Sequence, residues 1–220
     1  MKIIAHRGIW KVESEKNSLN AILSAFKNNF GVETDIRDLA KLNITTQNDY
    51  FDLVISHDVP QINSILLESI LENTNQILAL NIKSDGLANS LKNLLEKYQI
   101  DNYFVFDMSV PDALSYINLG LNVFTRQSEY EKIPSFYDKA KGVWLDEFHT
   151  HFINHDLIKN HLGNGKSVCI VSSELHTHKE PEFWEEYKKI DLALNKPNNL
   201  FLCTDYPQRA QEFFNGGNND

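Results

Sequence analysis

Eight short apolar runs, at 2–5, 32–36, 77–82, 103–106, 121–124, 142–145, 168–171 and 200–203, recur along the 220-residue chain, with helical patterns between them. Runs this short are strand-length rather than helix-length. Between the first two, Leu19, Ile22, Leu23 and Phe26 recur at helical spacing behind Asn17 or Ser18, either of which can cap a helix, and Gly31 sits where a C-cap would fall. Further helical stretches cover 87–98, 111–120, 153–162, 181–192 and 207–214. Strands alternating with helices call for a parallel sheet, and eight such units predict a closed (β/α)8 TIM barrel, an α/β fold spanning 1–214 as a single domain. The competing arrangement is an open doubly wound sheet, which would have to leave two or more of these strands at exposed edges. The run 53–56 is left over as a short extra strand between the second and third, and the Asn/Gly segment 215–220 reads as a flexible tail.

Composition narrows the function. Thirty acidic residues against 21 basic ones give a net charge of -9, which argues against a nucleic-acid or stable membrane-surface partner. Cys169 and Cys203 lie inside apolar runs and read as buried thiols of a reducing compartment. Met1 to Ile4 is followed at once by His6 and Arg7, with no apolar signal segment, so a cytoplasmic location is expected.

Barrels carry their chemistry at the C-terminal ends of the strands. Those ends supply His6 and Arg7, Glu33 and Asp35, His57 and Asp58, Asn81 and Lys83, Asp107, Asp146 and Glu147, and Thr204 and Asp205. A two-residue spacing turns Glu33 and Asp35 to one face of a strand. Two carboxylates held together need a cation, a shared proton or a basic partner such as Arg7, Arg37 or Lys83. Hard oxygen ligands suit Mg2+ or Ca2+ better than zinc. His6 and His57 are acid/base candidates, because an imidazole titrates near ~6.5. Lys83 and Arg7 are suited to a phosphate beside such a cation. His149, His151 and His155 span the start of a helix and read as loop residues rather than metal ligands.

Taken together, IAHRG at 4–8, EKNSLNAI at 15–22, GVETDIRD at 31–38, SHD at 56–58, LNIK at 80–83 and TDYP at 204–207 resemble the glycerophosphodiester phosphodiesterase family, within the phospholipase-C-like phosphodiesterases. These pieces run the length of the chain in the family's order. The resemblance implies a (β/α)8 barrel and a metal-dependent phosphodiester hydrolase acting on a glycerophosphodiester or related small molecule. It implies His6 and His57 as the general acid/base pair and Arg7 and Lys83 as phosphate-binding residues. It also implies Glu33, Asp35 and Asn81 as ligands of one divalent cation, Mg2+ or Ca2+. A cyclic phosphate formed by an adjacent substrate hydroxyl is the implied intermediate.

The chain departs from the family pattern in four places. Asn81 stands where the family usually has Glu, and Glu15-Lys16-Asn17-Ser18 stands for Pro-Glu-Asn-Thr. The stretch at 42–52 replaces a short connection, and 170–175 lacks a Trp-Thr-Val-Asn pattern. Two alternatives stay open: a catalytically weakened phosphoester-binding protein, and a metal-dependent lyase or aldolase on a phosphorylated sugar. Oligomeric state is not legible.

Overall fold

The structure, a computed structural model, describes residues 1–41, 51–176 and 180–216. In chain order its strands are β1 (Lys2–His6), β2 (Gly31–Ala40), β3 (Phe51–Ile55), β4 (Ile65–Leu66), β5 (Leu78–Ile82), β6 (Tyr103–Phe106), β7 (Phe124–Gln127), β8 (Gly142–Leu145), β9 (Ser167–Val171) and β10 (Leu200–Thr204). The helices are α1 (Leu19–Lys27), α2 (Glu68–Leu71), α3 (Ala88–Lys97), α4 (Val110–Asn118), α5 (His155–Gly163), α6 (Trp184–Ala193) and α7 (Pro207–Asn215). Among the described residues no helix is long and apolar enough to cross a membrane.

Two compact units divide the chain, one of residues 1–6 and 123 onward, the other of 7–122. In the first, β1, β10, β9, β8 and β7 pair in that order, all parallel. Its core gathers Val143, Leu145, Val168, Ile170, Leu200 and Leu202 from the strands with Ile158, Trp184, Ile190 and Phe214 from α5, α6 and α7. Strand residues on both faces are buried, as a helix-covered parallel sheet requires. Asn154 caps α5, its Oδ1 accepting from Leu157 N at 3.0 Å.

In the second unit β2, β5 and β6 are parallel, with Asp35 level with Asn81 and Asn81 level with Phe106. The outer half of β2 continues into an antiparallel arm, pairing Ile36 to Ala40 with Ile55 to Phe51, and β4 adds to β3. The expected extra strand is therefore present, one residue earlier at its end and extended back to Phe51. The segment 42–50, which holds most of the lengthened connection, lies outside the described residues, as do 217–220 of the expected tail. Asn215 itself belongs to α7.

Ser18, not Asn17, caps α1, accepting from Ala21 N at 3.1 Å and leaving Ala21, Ile22, Ala25 and Phe26 to bury one face. The helix is followed by Asn29 at φ 62, a left-handed position that Asn tolerates, while Gly31 opens β2. The strand expected at 121–124 lies three residues later, at Phe124–Gln127. Leu121, after the turn at Gly120 (φ 77), and Val123, in a single bridge directly ahead of β7, are both buried, and β7 begins at Phe124. Among the described residues, five strands of one unit and three of the other pair in parallel. The connection from β7 to β8 carries no helix.

Candidate active site

Strand β2 is buried along its first six residues, and its two carboxylates go with it: Glu33 is 1% exposed and Asp35 0%. Burial of a charge without compensation costs several kcal/mol. Asp35 is compensated from three directions. Its Oδ2 lies 2.8 Å from Arg7 Nε and accepts a hydrogen bond from Asn17 Nδ2 at 2.8 Å, and its Oδ1 lies 3.4 Å from Lys83 Nζ. Lys83 is also 3.9 Å from Asp107 Oδ2. Glu33 Oε1 accepts from Asn81 Nδ2 at 3.2 Å. The structure thus brings Arg7, Glu33, Asp35, Asn81 and Lys83 into one cluster.

The loop after β1 is shaped to deliver Arg7. Arg7 and Gly8 have φ of 57 and 90, and Arg7 N donates to Glu33 O at 2.9 Å. Asn17, at φ 61, donates its N–H to Arg7 O at 3.0 Å, and its Oδ1 accepts from Thr34 Oγ1 at 2.8 Å. One residue, through its backbone N–H and its side chain, therefore ties Arg7 to the β2 carboxylate. In the sequence it was legible as a cap candidate and as the Asn that Glu15-Lys16-Asn17-Ser18 retains from the family's Pro-Glu-Asn-Thr.

His57 stands apart from this cluster. It is half-exposed, its Nδ1 lies 2.9 Å from Asp58 Oδ1, and its carbonyl accepts from Arg37 Nε at 3.0 Å. It shares with Arg7 and Asn17 the wall of a cleft of about 680 Å3, between the 13–18 loop and residues 55–65. Arg37, one of the cations considered for the carboxylate pair, instead fixes this loop.

His6 closes β1 in the other unit, where Nδ1 lies 2.6 Å from Asp205 Oδ1. Asp205 N donates to Glu174 Oε1 at 3.2 Å, and Ser172 and Thr204 hydroxyls also donate to Glu174. Glu174 lies within 170–175, the stretch that lacks the Trp-Thr-Val-Asn pattern. Asp146 faces His176 Nε2 at 2.5 Å and Arg126 Nε at 3.6 Å. Neither Arg126 nor His176 was singled out by sequence, Arg126 because the strand before it was placed three residues early.

Glu147 is structural. It accepts from the backbone N–H groups of Phe152 and Ile153 at 2.5 and 2.7 Å and from Tyr187 OH at 3.2 Å. His151 lies between Glu147 and Glu186, at 3.0 and 3.1 Å, stacked on the Phe183 ring. Burial disfavours its imidazolium, but these two carboxylates hold its pKa above the ordinary value. His155 pairs with Asp156.

Among the described residues no group of three or more His, Cys, Asp or Glu is gathered to hold a metal ion. The chemistry of the β2–β5 cluster nonetheless fits a hard cation. Asn81 is 7% exposed and its Oδ1 has no hydrogen bond, an orphaned oxygen next to the Glu33 carboxylate.

No family model and no curated protein sequence matches the chain. Solved structures do. A protein from Galdieria sulphuraria provisionally assigned as a glycerophosphodiester phosphodiesterase superposes with a TM-score of 0.71 at 18% identity, covering 97% of each chain. A glycerophosphodiester phosphodiesterase from Agrobacterium tumefaciens gives 0.65 at 12% identity over 98% of each. A glycerophosphoryl diester phosphodiesterase from Parabacteroides distasonis gives 0.59 at 13%, covering 98% of this chain and 86% of its own. The chain has the α/β fold of these proteins from end to end, a likeness to the distorted TIM barrel of such structures.

Proposed function

We propose that this protein is a metal-dependent phosphodiester hydrolase of the glycerophosphodiester type, its eight parallel strands forming one (β/α)8 barrel over 1–214. The observation that carries the reading is the convergence of Arg7 and Lys83 on buried Asp35, beside a cleft walled by His57. Full-length likeness to three such phosphodiesterase structures supports the fold. A cytoplasmic location and a small-molecule substrate belong to the same reading.

Arg7 and Lys83 bind and orient the phosphate, with Asp35 holding both cations in place. Glu33, Asp35 and Asn81 are the residues that would hold a divalent cation. That cation would supply charge stabilisation at the non-bridging oxygens. His6 and His57 divide the proton transfers: one takes the proton of the attacking hydroxyl, the other protonates the departing alkoxide. In the family's route the attacker is a hydroxyl adjacent on the substrate, and water then opens a cyclic phosphate. Asn81 contributes one negative charge fewer than a carboxylate, which favours the binding-only reading as the second one.

The test is product detection on a panel of glycerol, nucleotide-glycerol and sugar phosphodiesters, with Mg2+ or Ca2+ added back to stripped protein. Release of glycerol phosphate from at least one diester, lost in both His6→Ala and His57→Ala, is the expected result. The His57→Ala protein should fold normally, since a half-exposed imidazole carries little stability. Tight binding of a diester without turnover under any metal would instead establish the binding-only reading.

A further inference from the structure

We propose that the strand ends of the unit carrying His6 hold a subsite for a polyhydroxylated ring, a sugar or cyclitol, as the leaving alcohol of the diester. This rests on the hydrolase reading above. Tyr130, Phe148 and His176 build the subsite, one each from the segments after β7, β8 and β9. Those strands pair in parallel with β10 and β1, so the three residues share the sheet edge at which His6 ends β1. Barrel enzymes build their sites at that edge.

Tyr130 is 70% exposed, yet it is held in place. Its backbone N donates to Ser128 Oγ at 3.2 Å, and its ring lies 5.8 Å from that of Phe148 and edge-on to His149 at 6.4 Å. The 148–150 segment against which it lies is pinned by Glu129, whose carboxylate accepts from the backbone N–H groups of Phe148, His149 and Thr150 at 3.2, 2.6 and 3.2 Å. A ring fixed in this way and open to solvent loses little freedom when a ligand packs on it. His176 supplies the polar half. Its ring lies against Phe148, centroids 4.5 Å apart, and its Nε2 is 2.5 Å from Asp146 Oδ1. The Asp146 carboxylate, 4% exposed, can only accept, so Nε2 carries the proton and Nδ1 of the neutral ring is an acceptor. A hydroxyl is the donor that such a nitrogen suits. An aromatic face beside a fixed acceptor matches a sugar or cyclitol, whose ring faces are apolar and whose rim is hydroxylated.

The experiment separates this inference from the hydrolase reading by using binding as well as turnover. Calorimetry compares inositol 1-phosphate and glucose 1-phosphate with ethyl phosphate and phosphocholine, on wild type, Tyr130→Phe, Tyr130→Ser and His176→Ala. Phe keeps the ring and its packing against Phe148 and His149. Wild type and Tyr130→Phe should bind at least one ring phosphate about tenfold more tightly than ethyl phosphate. Tyr130→Ser should lose most of that preference, and His176→Ala should lower it several-fold. In turnover, a glycerophosphodiester of the preferred ring should show a KM about tenfold higher in Tyr130→Ser, with kcat little changed. An undiminished ring preference in Tyr130→Ser, none in wild type, or a stronger preference for phosphocholine overturns the subsite. An unchanged preference in His176→Ala overturns the part given to His176. Absence of turnover on every diester, with the Tyr130-dependent preference intact, overturns the hydrolase reading and leaves the ring subsite standing.

Discussion

His6 Nδ1 and Asp205 Oδ1 lie 2.6 Å apart, at the ends of two strands that pair side by side, β1 and β10. A carboxylate at that nitrogen holds the Nδ1–H tautomer and sets the ring angle, so in the proposed mechanism Nε2 is the nitrogen that would exchange a proton. Asp205 is a positioning residue in this scheme. Asp205→Asn should lower diester turnover by roughly 10- to 10³-fold while leaving metal affinity unchanged. The 15N shifts of the His6 ring should report a change of tautomer population in the same variant. Wild-type turnover with an altered tautomer would remove His6 from the proton transfers.

Asn81 faces Glu33 through its amide N–H at 3.2 Å, and that contact exposes what a carboxylate at 81 would do. Asn81→Glu replaces a donor by a like charge at a site 7% exposed. Without metal the variant should be destabilised by about 1–3 kcal/mol, lowering Tm by roughly 3–10 °C. With saturating Mg2+ or Ca2+ the loss should reverse, and calorimetry should show tighter metal binding than wild type. Glu33→Gln should weaken it. Unchanged metal affinity in both variants would end the case for a shared site.

Much of this was legible because it is local. The i, i+2 spacing placed Glu33 and Asp35 on one face without reference to any other element. The apolar runs located six of the eight parallel strands to within a residue at either end, while β2 runs on four residues past its predicted end. What was not legible is who partners whom. Asp35 meets Arg7 and Lys83, two of the three cations the sequence offered it, but nothing in the sequence set them apart from Arg37, and nothing around Asn17 announces its contact with Asp35. Leu121 and Val123 misled for a related reason: they are buried ahead of β7, so the apolar run begins three residues before the strand does. That error displaced β7 and hid Arg126, which the true register puts near its C-terminal end.

Gly8 is required by geometry rather than by chemistry. Its φ is 90, and a Cβ there would come within 2.5 Å of Ala21 C and 2.7 Å of Ile22 N, both backbone atoms of α1. Neither side of that contact can yield cheaply. Gly8→Ala should cost about 2–4 kcal/mol in urea unfolding and should displace Arg7 from Asp35. Phosphate affinity should fall with it. A variant as stable as wild type would mean that the Arg7 loop can be repositioned without moving α1.

The last prediction concerns a histidine outside the candidate site. His161, 4% exposed on α5, is held by Gln127 Oε1 at Nε2 and by Tyr137 OH at Nδ1, both at 2.8 Å. Gln127 Oε1 can only accept, so Nε2 carries the proton, and Nδ1 accepts from the tyrosine. Protonating Nδ1 would turn that acceptor into a donor inside the fold, and burial holds the pKa of this imidazole below the ordinary value. A lowered folded-state pKa means that the unfolded chain takes up the proton first. The stability His161 contributes is therefore complete above about pH 6.5 and is lost as pH falls toward its folded-state value, with a slope approaching ~1.4 kcal/mol per pH unit. His151 acts in the opposite direction and a different window: its raised pKa supports the fold below about pH 6.5 and loses that support as pH rises through its folded-state value. Comparing wild type with His161→Gln, which keeps a donor and an acceptor, isolates the first effect. Urea unfolding between pH 6.5 and 5 should show a shallower loss of stability in the variant. Identical slopes would mean that His161 is charged in the native protein, and that the Tyr137 hydroxyl accepts rather than donates.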